Sequence, residues 1–456
     1  MGGTTMIKNR SLHRRMSGSI VALLLLVRIG WCETEITQHG ITWAFNSDYT
    51  VGQYANGDYW LVGPVTIVGI DPPSTEAAGR TMNGSMVNPS PTLGTTQGYD
   101  TSIPYSTYLS SLNVALDVSP SNPIVIPNGS SLVSTISFVT PVGNDYLRSA
   151  EVLTVLDTAP PDGSFRPPYS GTYKTILFNS SDMDYSLLQS LPAVPDTPLL
   201  SEVERMFERV WLDHVPNFMG RLFHPSENMP DYGADMAEEV SIGALMLNLD
   251  FTNEEKETLL VRYVQLGIDL WGIATNGGKE NWVANGGHAS GRKFPILFAG
   301  LILGDPEMSN VGFETEISFG EDEQTYLGQP TAGYPEGKPL WGQDCGQASY
   351  YYDLCVNNSY TSGAKDCRDP EGLVDGCGDG YRECCTSHTW VGFCLATRML
   401  GAVDLWNHPA LFGYVDRWMT EVNNPDYTDH FIRNMWDSYG LFYRFYTGVE
   451  AWGLYR

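Results

Sequence analysis

Residues 281–304 read NWVANGGHASGRKFPILFAGLILG and join a polar, glycine-rich loop to an apolar run. Proline is tolerated inside a helix only in the first turn, where its missing N–H would be unpaired anyway, so Pro295 places the helix start close by. The stretch therefore predicts a helix that begins near Lys293. We expect it to end at Gly304, because glycine often terminates helices.

Several potential cations stand at the start of this predicted helix. Arg292 and Lys293 lie at its mouth, and Asn285 and His288 lie just upstream. The free N–H groups and the positive end of the helix dipole also favour negative charge there. The pattern predicts a site for an anionic or polyhydroxyl ligand. The alternative is a glycine-rich turn before a core helix, with the basic residues solvated or paired with acidic neighbours.

Length and charge limit the classes of function. The 456 residues allow two or three domains with a large core. The chain has 53 acidic and 26 basic residues, which gives a net charge of −27. Nucleic acid and anionic membranes are disfavoured as partners, because phosphates require a basic face. The sequence does not indicate an oligomeric state.

The N-terminal residues 1–32 predict a secretory signal peptide. Basic residues precede a short apolar run at 20–27 (IVALLLLV), and a cleavage site near residues 30–32 is plausible. No apolar run is long enough for a transmembrane helix. We therefore expect a secreted or periplasmic protein.

Cysteines cluster in one part of the predicted mature chain. In an exported protein, disulfides are the default interpretation, with free buried thiols or a metal site as alternatives. An odd number leaves at least one thiol free or paired outside the chain. The seven cysteines are Cys345, Cys355, Cys367, Cys377, Cys384, Cys385 and Cys394.

The hydrophobic pattern divides the rest of the chain. Residues 33–157 contain short alternating runs between turn signals, which favours a β-sandwich domain. Residues 158–198 are proline-rich and predict a linker. Residues 199–456 predict helices with one solvent-facing side and long inserted loops, an arrangement typical of antiparallel helix hairpins in a ring.

The C-terminal half, roughly residues 200–456, resembles the α/α-toroid enzymes that degrade polysaccharides, in particular alginate-lyase-like polysaccharide lyases. The resemblance rests on the helix hairpins, the aromatic loops, NGGH at 285–288 and YRECCTSHTW at 381–390. It implies a multidomain α and β protein, with the β-sandwich followed by an incomplete α/α barrel. It also implies a polysaccharide substrate lying in a groove across the ring.

The resemblance further implies β-elimination on a uronic-acid polymer such as alginate. In these lyases a polar or basic group binds the sugar carboxylate, a His or Tyr removes the C5 proton, and a Tyr protonates the leaving oxygen. For each candidate residue, packing or loop anchoring is the alternative. The catalytic candidates by residue type are His288, His388, Tyr334 and Tyr351, with Tyr350 and Tyr352 beside the last. The substrate-binding candidates are Asn285, Arg292, Lys293, Trp282, Trp341 and Trp390.

Two other functions fit the sequence. A glycoside hydrolase would need two carboxyl groups on either side of the scissile bond. A non-catalytic carbohydrate-binding surface protein would need only the β-domain. The hydrolase candidates are Asp235, Glu238, Glu239, Asp344, Asp353 and Glu383.

Neither reaction requires a cofactor, and no metal ligand set is predicted for catalysis. Calcium is a weaker alternative, because a glycine-rich loop offers several carboxylates whose spacing does not complete an EF-hand. These carboxylates are Asp369, Glu371, Asp375 and Asp379.

Overall fold

The computed structural model describes residues 31–230, 233–327, 330, 333–341, 382–421 and 427–446. Strands dominate the first part and helices the second. The strands are β1 (Trp31–Gln38), β2 (Ile41–Gln53), β3 (Tyr59–Val62), β4 (Val65–Asp71), β5 (Glu76–Ala77), β6 (Arg80–Thr81), β7 (Ser85–Val87), β8 (Thr96–Gln97), β9 (Thr107–Tyr108), β10 (Ile124–Ile126), β11 (Ser130–Val142), β12 (Asp145–Leu156), β13 (Thr325–Leu327) and β14 (Pro339–Trp341). The α-helices are α1 (Leu200–Met206), α2 (Gly233–Leu247), α3 (Asn253–Thr275), α4 (Lys293–Leu303), α5 (Pro306–Ser309), α6 (Gly320–Glu323), α7 (Trp390–Met399), α8 (Val403–Trp406), α9 (Pro409–Glu421), α10 (His430–Met435) and α11 (Leu441–Tyr446).

One eight-stranded mixed sheet forms the N-terminal part. Its order is β10-β4-β2-β3-β12-β11-β7, and β1 adds to β2. Among the described strand pairs of this sheet, β12 and β3 run parallel and the others are antiparallel. The β-sandwich prediction is therefore wrong, because β12 pairs with both β3 and β11 and so joins early and late strands into one sheet. Hydrophobic alternation locates strands, but it does not specify which strands pair.

Both faces of the sheet are buried near its centre. On one face Leu132 and Leu153 pack with Trp43 in an interior cluster. On the other face Val133 and Val152 join the larger core that contains the helices. Adjacent residues of one strand point to opposite faces, so this pattern requires a layer on each side.

Two helices in the middle of the helical part, α4 and α7, are buried on nearly all sides. All ten residues of α7 and nine of the eleven in α4 are buried. α3 packs closely on α4, where a Cβ atom at Gly267 would lie 2.2 Å from the Pro295 carbonyl oxygen. A ring of hairpins would leave each helix one solvent-facing side. The α/α-toroid prediction is therefore wrong for the described residues.

Residues 158–198 cross from the sheet to the helices, and their contacts include a buried ion cluster. Arg166 is 1% exposed and binds Asp58 of the β2–β3 turn at 2.5 Å and Asp269 of α3 at 2.5 and 3.0 Å. Buried charges of this kind persist only when they are paired. The cluster fixes the sheet against α3.

Among the described cysteines, Cys384 and Cys385 form a disulfide between neighbouring residues, while Cys394 is a buried free thiol and Cys32 is exposed. The remaining four predicted disulfide cysteines lie outside the described residues. β1 begins at Trp31, so cleavage after residue 32 would remove the first two residues of that strand. No helix in the described part of the chain has the length and apolarity needed to cross a membrane.

Candidate functional site

The helix predicted from residues 281–304 forms where the sequence places it. α4 runs from Lys293 to Leu303, Arg292 is its N-cap, and Gly304 ends it with a left-handed φ of 66°. Pro295 lies in the first turn, as its chemistry requires. The predicted start and end of this helix are confirmed. The direction of the charged side chains at its N-terminus decides whether they can bind a ligand.

Arg292 points into the core and is 2% exposed. Its Nε donates to Asp213 Oδ2 at 2.8 Å, and Nη1 donates to the Ser290 carbonyl at 2.7 Å. His224 Nε2 lies 3.0 Å from the other oxygen of Asp213. Burial alone would raise the pKa of Asp213, but Arg292 and His224 together hold it well below its ordinary value. Arg292 is thus neutralised by a buried carboxylate.

Lys293 is neutralised in the same way. Its Nζ pairs with Asp322 and donates to the Trp406 carbonyl at 2.7 Å. The side chain is 2% exposed, and Nζ lies 4.9 Å from the centre of the Trp406 ring. Both charges face buried partners rather than solvent, which favours the alternative of basic residues paired with acidic neighbours over the predicted roles of Arg292 and Lys293 in substrate binding.

The three tryptophans predicted to stack on sugar rings are also buried. Trp282 and Trp341 are 2% and 1% exposed, and Trp390 is fully buried. Trp282 stacks on Phe319 at 5.9 Å, and Trp390 Nε1 donates to Ser290 Oγ at 3.1 Å. Protein atoms cover these side chains, which favours loop anchoring, the alternative, over the predicted sugar subsites at Trp282, Trp341 and Trp390.

The loop before α4 reaches a more open position. Asn285 and His288 are both partly exposed, and Asn285 Nδ2 donates to Asn217 Oδ1 at 2.5 Å. Burial, followed by the nearby charges of Arg221 and Arg292, lowers the pKa of His288 to about 4. The imidazole is therefore neutral at pH 7 and can accept a proton.

Short α6 and the residue after it hold this loop by its backbone. Glu323 accepts a hydrogen bond from the Ala284 N–H at 2.7 Å, and Gln324 donates to the Gly286 carbonyl at 3.0 Å. Glu321 accepts from the Gly291 N–H at 3.3 Å. Side chains clustered within five residues thus position His288.

The other predicted catalytic residues are scattered. His388 is 8% exposed and lies in the turn just before α7. The ring of Tyr334 lies 6.0 Å from the guanidinium of Arg417 and 5.7 Å from Lys338 Nζ. Tyr351, with its neighbours at 350 and 352, lies outside the described residues, as do Asp344 and Asp353. Nothing is described for the side chain of Glu383 or for the four possible calcium ligands.

The start of α2 lies directly against the His288 loop. A Cβ atom at Gly233 would lie 2.2 Å from the His288 carbonyl oxygen, and one at Gly287 would lie 2.7 Å from Ala234 Cβ. Only glycine allows this close approach of two backbones. The backbone of the His288 loop is therefore in direct contact with the first turn of α2.

Three carboxyl groups occupy those first turns of α2. Asp235 is exposed, while Glu238 and Glu239 are partly buried. Burial, with the charges of Asp429 and Asp235, raises the pKa of Glu238 to about 7. Burial, with Asp235 and Glu238, raises the pKa of Glu239 well above its ordinary value. We call Asp235, Glu238, Glu239 and Asp429 the acid cluster.

No protein-family model, curated protein or solved structure matches this chain. Function must therefore be argued from the chemistry of the residues, since fold alone does not specify it.

The acid cluster differs from the N-terminus of α4, where Arg292 and Lys293 are each paired with an aspartate. Glu239 Oε2 is buried and has no hydrogen-bond partner among the described residues. Asp429 comes from a distant part of the chain, where it caps α10 by accepting from the Ile432 N–H at 3.0 Å. Sequence reasoning missed Asp429, because an N-cap aspartate carries no signal for a neighbour almost 200 residues away. Carboxyl groups that keep protons near pH 7 beside exposed carboxylates are suited to acid–base catalysis.

Within the described residues, no group of three or more His, Cys, Asp and Glu side chains is arranged to hold a metal ion.

Proposed function

We propose that the protein is a polysaccharide-degrading enzyme that hydrolyses glycosidic bonds with the acid cluster. The observation that carries the proposal is Glu238, a partly exposed carboxyl group whose pKa is raised to about 7. A general acid works best when its pKa is near the operating pH, because it is then protonated yet still gives up its proton. The hydrolase alternative drawn from the sequence included this residue.

In this mechanism Glu238 gives its proton to the leaving glycosidic oxygen as the C–O bond breaks. An ionised carboxylate of the cluster, for which exposed Asp235 is the first candidate, then activates water or attacks the sugar carbon. Burial and its carboxylate neighbours raise the pKa of Glu239 well above its ordinary value, which favours a hydrogen bond from this group to a sugar hydroxyl. Neutral His288, on the loop that contacts the start of α2, is a further donor or acceptor. Each role uses the protonation state that the surroundings favour.

The charge around the site supports a neutral glycan as substrate. The chain has a net charge of −27, and the acid cluster adds negative charge locally. A polyuronate would be repelled, because Arg292 and Lys293 are paired with Asp213 and Asp322. Neutral sugar rings bind through hydroxyl groups and apolar faces instead.

β-Elimination remains a second candidate on one observation. His288 is partly exposed, and its pKa, lowered to about 4, leaves the imidazole unprotonated at neutral pH, as a base for the C5 proton must be. The same shift makes it a weaker base than an ordinary imidazole, which places elimination second. The sugar carboxylate would then be bound by neutral donors such as the Asn285 amide. In this mechanism neutral donors bind the sugar carboxylate in place of the cations that the sequence predicted at the N-terminus of α4.

The two candidates give different products. The full chain would be incubated with neutral glycans and with polyuronates, and both reducing ends and ultraviolet absorbance would be recorded. Hydrolysis predicts reducing ends without the absorbance of an unsaturated sugar. New absorbance on a polyuronate, lost in His288→Ala and kept in Glu238→Gln, would transfer the assignment to elimination. No product from any glycan would count against both and favour the carbohydrate-binding alternative.

We also propose that the protein is exported, on the support of the signal-like residues 1–32 alone. Expression with these residues in a secreting host, followed by N-terminal sequencing of the protein outside the cell, tests this. Retention of an uncleaved chain inside the cell would contradict it.

A further inference from the structure

The turn between β1 and β2 places a histidine between two carboxyl groups that belong to other elements. His39 Nδ1 lies 2.6 Å from Glu151 Oε1 in β12, and its Nε2 lies 3.3 Å from Glu208 Oε1, just after α1. The backbone of His39 has a left-handed φ of 42°, a conformation that histidine adopts more often than most residues do. The imidazole therefore joins the sheet to the helical part through both of its ring nitrogens.

These two contacts together require an additional proton. An ionised carboxylate only accepts hydrogen bonds, and a neutral imidazole has a single N–H, so only one of its nitrogens can donate. The imidazolium form donates from both nitrogens. A protonated glutamate beside a neutral imidazole contains the same number of protons. In either form His39, Glu151 and Glu208 hold one proton more than a neutral histidine with two carboxylates.

Glu151 depends on His39 because the carboxyl group is buried. Its side chain is 1% exposed, and Arg209 Nε lies 3.8 Å away, beyond hydrogen-bond distance. The hydrogen bond with Glu151 raises the pKa of His39, and burial raises the pKa of Glu151 to about 7. Two groups this close titrate as a pair, and both shifts have the same sign. The folded pair therefore keeps its proton to higher pH than the unfolded chain does.

Other charged groups surround these three residues, and solvent reaches them. Arg209 Nη1 donates to Glu208 Oε2 at 2.9 Å, while His39 and Glu208 are 27% and 22% exposed. Histidine is the side chain of this group whose ordinary pKa lies between 5 and 8, so the protonation of His39 changes in that range. The remaining charged neighbours are Asp58 in the β2–β3 turn, Arg148 in β12, Glu227 before α2 and Arg262 on α3.

We propose that His39, Glu151 and Glu208 form a pH-sensitive clamp that holds the β1–β2 turn to the segment after α1 while the additional proton is bound, and releases it when that proton is lost. Loss of the proton leaves a ring nitrogen and a carboxylate oxygen facing each other as two acceptors, which is unfavourable in a partly buried site. The clamp is therefore closed in mildly acidic solution and weakens as the pH rises to about 7 and above. The same segment continues to Asp213, the partner of Arg292.

The test is local hydrogen exchange of the full chain between pH 5 and 8, the range in which histidine changes its charge. Rates are divided by those of an unstructured peptide at each pH. His39→Asn removes the titrating ring and suits the left-handed backbone. Glu208→Gln offers Nε2 a neutral amide, so His39 no longer needs a second N–H. His430→Asn is the matched control, because His430 is an exposed histidine at the start of α10.

In wild type we expect the corrected exchange of residues 38–41 and 207–209 to rise about tenfold or more from pH 5 to 8, as for loss of one charge-assisted hydrogen bond. This rise should exceed that in α7, whose ten residues are all buried. His39→Asn should exchange rapidly over the whole range, because its clamp is always open. Glu208→Gln should show a smaller rise than wild type, and His430→Asn should follow wild type.

Three results would overturn the clamp. The first is no rise in wild type. The second is an unchanged rise in His39→Asn, which would place the proton on another group; if His39→Asn does not fold, an unchanged rise in Glu208→Gln has the same meaning. The third is an equal rise in α7, which would indicate a global loss of stability. No substrate is used, so failure of the clamp leaves the proposed hydrolysis untouched.

Discussion

Two helix starts in this molecule carry charged groups, and they differ in what those groups face. At the start of α4, Arg292 and Lys293 are buried and each is paired with an aspartate. At the start of α2, Glu238 and Glu239 are partly buried beside other carboxyl groups, which raises the pKa of each. At the start of α4 the charges pair within the core. At the start of α2 burial favours the protonated form of the carboxyl groups. Charge at a helix start therefore indicates function only when its partners are known.

The largest expected effect is on the stability of the α4 start. Arg292→Met leaves Asp213 buried without its main cation, so the free energy of unfolding should fall by about 3–5 kcal/mol. Denaturant unfolding measures it. Arg433→Met is the matched control, because the exposed pair of Arg433 with Asp437 contributes little. Wild-type stability in Arg292→Met combined with lost activity would instead support a ligand role for Arg292.

The second effect is on activity at the α2 start. Glu238→Gln removes the proton donor but keeps the shape, so kcat should fall by about 10²–10⁴-fold. Initial rates on the best neutral glycan test this. Glu257→Gln, at an exposed position of α3, is the control and should keep full activity. Equal rates in all three proteins would exclude Glu238 as the acid.

The same variant should change how stability depends on pH. The pKa of Glu238 rises from 4.5 to about 7 on folding, so the folded protein holds this proton to higher pH than the unfolded chain does. Stability from this group is therefore lost as pH rises from about 4.5 to about 7. Glu151 and Glu321, with pKa values also raised to about 7, contribute in the same direction. The loss should be smaller in Glu238→Gln than in wild type; parallel pH curves would contradict the shift.

The smallest expected effect is on the free energy of unfolding of variants at Glu321, which accepts a hydrogen bond from the loop before α4. It is fully buried, and burial, followed by the charge of Asp322, raises its pKa to about 7. Glu321→Gln keeps an acceptor for the Gly291 N–H, so unfolding should change by less than about 1 kcal/mol. Glu321→Ala leaves that N–H unsatisfied and should cost about 1–3 kcal/mol. The reverse order would mean that Glu321 is ionised and paired.

Local structure was more predictable than contacts. Pro295 and Gly304 correctly bounded α4, and Thr252 caps α3 with Glu255 in a reciprocal capping box. These signals act over a few residues. The partner of Arg292 is Asp213, 79 residues earlier, and no local pattern identifies such a pair.

The layer arrangement was unpredictable for the same reason. The pairing of β12 with both β3 and β11 makes one sheet of strands that the sequence predicts in a sandwich. Trp282, Trp341 and Trp390 are substrate-binding candidates by residue type, yet all three are buried. Their burial depends on packing partners far along the chain, such as Ser290 for Trp390. Of the site, the sequence indicated Asp235, Glu238, Glu239 and His288, whereas Asp429 required the fold.

Direct titration of the Glu238 carboxyl tests the central comparison most directly. Carbon-13 NMR of glutamate-labelled protein would follow the resonance that disappears in Glu238→Gln. We expect a titration midpoint near pH 7, because burial and the charges of Asp429 and Asp235 favour the protonated carboxyl group. A midpoint at the ordinary value of 4.5 would contradict it, since Glu238 would then be an ordinary surface carboxylate with no proton to give.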